Sequence, residues 1–172
     1  HGCSGITAEN VAAAVWLAQK GYSVFLPSYY ARPGVGAICA GSAAGIPFFA
    51  NVDHRLVQLR KDEFDHALKR ARELGFTNPD IVLAFGHSMG GITVAALERN
   101  DVDAVIITGW GCSAPFSKQA PKAIPQLSIR FKDDPWIPAG SCGVRLFSGR
   151  EEANTVSVTL DGQRTHEVMH DP

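Results

Sequence analysis

A short passage near the middle of the chain most limits what it can fold into. Ile81 to Gly86 (IVLAFG) is a continuous apolar run that leads straight into Gly86-His87-Ser88-Met89-Gly90 and a helix-forming stretch over 89–99. An apolar run bounded by turn residues reads as a strand buried on both faces, the kind found in parallel sheets covered by helices. The flanking sequence repeats the alternation. A helix is predicted over 8–20, with Thr7 as N-cap, Glu9 in the first turn and Gly21 just past the end. A second is predicted over 52–74, where Phe64, Ala67, Leu68, Ala71 and Leu74 form one apolar stripe and Gly75 supplies the stop. Further strands are predicted at Tyr22–Pro27, Ala104–Gly109, Gln126–Phe131 and Thr155–Leu160. The alternation predicts an α/β layer fold with a mainly parallel sheet, built as one domain over 1–172.

Two stretches carry no clear period. The loop 28–50 is rich in Gly, Pro and Ala, and Pro115, Pro121 and Pro125 forbid a long helix in the crossover between two strands. Both are placed to shape a site entrance.

Composition narrows the function classes. With 16 basic and 17 acidic residues spread along 172, the net charge is −1, which argues against a nucleic-acid-binding or polybasic membrane surface. No apolar run is long enough to span a bilayer. Cys3, Cys39, Cys112 and Cys142 form no C-x-x-C pair, so neither a zinc ribbon nor a thioredoxin-type site is indicated. Cys112 reads as a free buried thiol, while a bridge between Cys39 and Cys142 stays open, and the compartment stays undecided.

The pentapeptide 86–90 matches G-x-S-x-G, the nucleophile elbow, and it lies between a strand and a helix as that motif requires. At such a turn the backbone is strained so that the serine hydroxyl stands clear. Side chains two positions either side would collide, hence the glycines. An incidental serine in a glycine-rich turn is the plainer alternative, and the strand and helix weigh against it. A serine needs a base, and a histidine base needs an acid to hold its tautomer. In chain order these are expected after Ser88, where Asp133-Asp134-Pro135-Trp136-Ile137-Pro138 and then His166 follow predicted strands. In a parallel sheet, sites form at the carboxyl ends of the strands.

These residues carry a resemblance. His1-Gly2-Cys3-Ser4-Gly5, Tyr29–Pro33 (YYARP), GHSMGG at 86–91, DDPWIPAGSC at 133–142 and His166 together resemble the α/β-hydrolase superfamily, in particular its dienelactone hydrolase-like branch. The resemblance implies a three-layer α/β-hydrolase sandwich and a triad of Ser88, Asp134 and His166, with Asp133 the rival acid. It implies an oxyanion hole from the backbone N–H groups of Cys3 and Met89, leaving the Cys3 side chain a bystander. Dienelactone hydrolases proper use a cysteine nucleophile, so Ser88 points to a general carboxylic ester or lactone hydrolase working through an acyl-enzyme. No metal and no cofactor are implied, and the partner is a small-molecule ester or lactone, with no nucleic acid and no membrane. The family's sheet needs more strands than those predicted after His1. The resemblance therefore implies that the N-terminal strands are lacking and the domain is incomplete at both ends, or that the sheet is rearranged or completed by a partner, with self-association then open.

The same residues carry other readings. His166-Glu167-Val168-Met169-His170 satisfies H-E-x-x-H, the zinc metallopeptidase signature, which works when both histidines share one helix face. The preceding stretch reads as strand and turn, and Pro172 closes the segment, so His170 is assigned to the surface or a pocket rim. A hydrolase fold serving only as a binding module needs a missing triad member, and none is missing here. His87 adjoins Ser88 too closely to be its base, and is expected to pack under the sheet. His54 and His66, beside Asp53 and Asp65, read as solvated residues of a charged helix face. Tyr29, Trp110 and Trp136 are expected to line the substrate pocket, with Tyr30 a further candidate, and Trp16 to be core.

Overall fold

A computed structural model describes residues 1–36, 54–78, 80–109, 124–137, 154–162 and 165–168. Helix α1 spans Ala8–Gln19, α2 His54–Arg72 and α3 Met89–Ala95; strands β1 to β4 span Leu83–His87, Ala104–Thr108, Gln126–Phe131 and Thr155–Leu160. The strands form one sheet in the order β1-β2-β3-β4, with every neighbouring pair parallel. A parallel sheet with helices is the expected α/β layer architecture.

Local chemistry explains the helix ends. Thr7 caps α1 through a reciprocal box: its hydroxyl accepts from Asn10 N–H at 3.4 Å, and Asn10 Oδ1 accepts from Thr7 N–H at 3.1 Å. Gly21 then turns the chain with φ +94°. The last turn of α2 carries Lys69, Arg70 and Arg72, where cations suit the negative end of the helix. Its less exposed face includes Phe64, Ala67, Leu68 and Ala71, the predicted stripe.

Helix α3 is buried along its whole length, between β1 and β2 on one side and α2 on the other. Around it Ala84, Ile92, Val105, Ile107 and Ile137 close a core in which each is at most 2% exposed. The helix is shorter than the predicted 89–99. The chain leaves it after Ala95, and Arg99 instead pairs with Asp65 and Asp101 at the surface. That contact, chiefly the Arg99 hydrogen bond, holds the Asp101 carboxyl well below the usual carboxylate range.

Two strand predictions need correction. The central strand begins at Leu83 and runs to His87, two residues later than predicted at its start, and Ile81 lies outside it, 63% exposed. Tyr22–Pro27 is not a strand: among the described residues no strand pairs with it, and Tyr22, Val24 and Phe25 are exposed. It faces β1 across a cleft of about 550 Å³, whose walls include Val24, Leu26, Leu83 and Phe85. An apolar run with strand-like residues becomes a strand only where a neighbour takes up its backbone hydrogen bonds.

The parallel order sends the carboxyl ends of all four strands to one edge. His87 and Thr108 are register partners there, and the segments after β3 and β4 leave from the same side.

Candidate active site

Ser88 occupies the turn between β1 and α3 with φ +54° and ψ −118°, the one positive φ outside glycine among the described residues. Such a conformation persists only when its surroundings hold it. Here the Ser88 N–H donates to the Thr108 carbonyl at 2.8 Å, and its own carbonyl accepts from Ile92 N–H at 3.2 Å. The expected crowding at the flanking glycines is present. A Cβ on Gly86 would run into the Gly90 carbonyl, and a Cβ on Gly90 would come within 2.8 Å of the His1 carbonyl oxygen.

The loop 1–5 lies directly against this turn: a Cβ on Gly2 would sit 3.3 Å from Ser88 Cβ and 3.7 Å from its Oγ. The Gly2 carbonyl accepts from Gly5 N–H at 3.4 Å and lies 2.7 Å from His1 Nδ1. A trans peptide sends its N–H opposite to its C=O, so the Cys3 N–H points away from those partners. The Tyr30 hydroxyl donates to the Cys3 carbonyl, and its ring packs where Gly5, at φ +93°, has no Cβ. Arg60, buried on α2, donates to the His1 carbonyl, and burial pushes its guanidinium down to about 10. The Cys3 sulfur is disulfide-bonded, so its side chain has a tethering role beyond the bystander part expected of it. Cys39, Cys112 and Cys142 lie outside the described residues.

Asp134 follows β3 and is buried, with its carboxylate side chain fully enclosed. One oxygen accepts from Trp136 N–H at 2.8 Å, and the other lies 2.8 Å from His166 Nδ1. A carboxylate held at both oxygens has one orientation, and the imidazole it faces takes one ring orientation in turn. Asp133 is exposed. The rings of Trp136 and His87 approach His166 with centroids at 5.9 Å and 4.9 Å.

Ser88, His166, Gly2, Cys3, Trp136 and Glu167 all line one cleft of about 310 Å³. Among the described residues no hydrogen bond joins Ser88 to His166 in this structure. Tyr29, expected at the substrate pocket, does not line this cleft. It is buried beneath Arg60, whose guanidinium carbon lies 5.2 Å from its ring centroid, and its N–H donates to His1 Nε2 at 3.1 Å. Trp110 lies outside the described residues, as do His170 and the side chain of His54. His87 is buried as expected, and Trp16, expected in the core, is half exposed.

Residues 165–168 are not helical, so the H-E-x-x-H spacing does not here describe one helix face. Tyr30, also a candidate for the pocket, does not line this cleft and meets the Cys3 carbonyl instead. Sequence reasoning missed Glu167, seen only as part of the zinc pattern.

The dienelactone hydrolase family model matches residues 1–159. The chain belongs to the dienelactone hydrolase family. It is therefore a hydrolase of the α/β-hydrolase superfamily, in a family that generally cleaves ester and lactone bonds of small molecules. The matched range takes in the loop 1–5, Ser88 and Asp134, and stops short of His166. A comparison with curated proteins finds no match. Among the described residues of this dienelactone hydrolase family member, no helix is long and apolar enough to cross a membrane.

Proposed function

We propose that this chain is a serine hydrolase that cleaves a carboxylic ester or lactone through an acyl-enzyme. The observation that supports the reading best is the 2.8 Å contact between His166 Nδ1 and the enclosed Asp134 carboxylate, on the rim of the cleft that holds Ser88. With Nδ1 committed to Asp134, Nε2 is left to take the Ser88 proton. The hydroxyl oxygen then attacks the ester carbonyl, and the carbonyl π electrons move onto its oxygen. As the tetrahedral intermediate collapses, His166 returns the proton to the leaving alcohol, and water repeats the cycle to free Ser88. The N–H groups of Cys3 and Met89 are assigned to the oxyanion, a contribution worth about 10²–10³ in rate per donor in comparable sites. Trp136 forms one wall of the substrate site.

A serine in the position where dienelactone hydrolases proper carry cysteine favours ordinary carboxylic esters over dienelactones. The test is turnover of p-nitrophenyl acetate with and without a chelator. The expected result is hydrolysis with an initial burst of p-nitrophenol and no loss on chelation. Activity that disappears with chelator and returns with zinc would replace this reading with a metal-dependent one.

A further inference from the structure

Among the described residues, the mechanism leaves two ionisable side chains in the cleft without a task, His87 and Glu167. His87, next to Ser88, is 6% exposed, and its Nδ1 lies 3.1 Å from the Thr108 hydroxyl at the end of β2. Its Nε2 is buried with no aligned hydrogen bond among the described residues, and lies 3.2 Å from the Glu167 carboxylate. A polar nitrogen enclosed this far is costly without a partner, and Glu167 is the group placed to supply one. Glu167 adjoins His166 in sequence, so this contact joins the segment carrying the proposed base to the turn carrying the proposed nucleophile. The backbone makes room for it. Gly109, at φ +53°, has no Cβ where the two histidine rings meet; one would sit 2.8 Å from His87 Cε1 and 2.8 Å from the His166 carbonyl.

We propose that His87 and Glu167 act as one positioning pair, docking the His166 segment onto the Ser88 turn so that His166 faces the cleft. The inference rests on the serine-hydrolase reading above. Neither residue touches the reacting atoms in this scheme; both act through His166. The His87 contact, ahead of the opposing effect of burial, holds the Glu167 carboxyl below its ordinary range, so it is charged at neutral pH. The titratable groups facing it are His87 and His166, with Glu9 of α1 opposing. Asp134 faces His166 from the other side.

A double-mutant cycle on kcat tests the pair, with a serine-directed phosphonate first used to count active sites in each variant. Glu167→Ala and His87→Phe are each expected to lower kcat about tenfold with KM nearly unchanged, and the double variant to lose about the same tenfold. Glu167→Gln, whose amide oxygen can still accept from Nε2, is expected to recover most of the loss. In both Glu167 variants the acid limb of the kcat/KM profile moves to lower pH, because a negative charge that favours the imidazolium has gone. Independent losses that multiply to about a hundredfold would overturn the pairing, as would an unchanged kcat in Glu167→Ala. An acid limb that stays in place would equally overturn it. If His87→Phe does not fold, the contrast between Glu167→Ala and Glu167→Gln decides alone. Failure of the phosphonate to label the wild-type protein would instead sink the underlying serine-hydrolase reading.

Discussion

Ser88→Ala is expected to lower kcat for a p-nitrophenyl ester by about 10⁴–10⁶ while leaving the melting temperature within a few degrees of the parent. The size follows from the division of labour in the proposed site. Without the hydroxyl no acyl-enzyme forms, and the residual rate comes from water acting in a cleft that still offers N–H groups and a base. The stability forecast follows from the backbone. The strained turn is held by the Ser88 N–H and carbonyl, bonded to Thr108 and Ile92, and alanine keeps both groups. Its side chain makes no hydrogen bond among the described residues. A loss of less than tenfold, measured as steady-state hydrolysis on a correctly folded variant, would remove Ser88 from the mechanism.

The second large effect separates two neighbouring carboxylates. Asp134→Asn is expected to cost about 10³–10⁴ in kcat, because an amide nitrogen facing His166 Nδ1 favours the wrong imidazole tautomer and gives the imidazolium no counter-charge. Asp133→Asn is expected to stay within a few-fold of the parent, since Asp133 is exposed and Asp134 holds the 2.8 Å contact. The comparison is internally controlled: the two substitutions remove the same charge one residue apart. A silent Asp134→Asn beside a crippled Asp133→Asn would reassign the acid.

Much of this was legible in the sequence where the signal is local. Thr7 as N-cap, the stripe on α2 and the apolar β2 to β4 are short-range patterns, and each became the element it announced, with β3 and β4 matching to the residue. Ser88 was legible because strand, glycine-flanked turn and helix occupy consecutive residues. Asp134 was separated from Asp133 only by the family resemblance; their difference in burial depends on how β3 packs. Tyr22–Pro27 has the residues of a strand, but pairing is a property of the neighbour, and that information is not in the segment itself. Tyr29 and Tyr30 are chemically equivalent in a loop, so which one meets Cys3 and which one meets Arg60 had to come from the fold. The His87–Glu167 contact joins residues on either side of three further strands, and no local spacing signals it.

The nucleophile is identified by the mass of the peptide that carries Ser88. After incubation with a fluorophosphonate, digestion is expected to place a single adduct on Ser88, formed in step with loss of ester turnover and absent from the Ser88→Ala variant. Full loss of turnover with the adduct on any other residue, or full turnover with no adduct at all, would contradict the account.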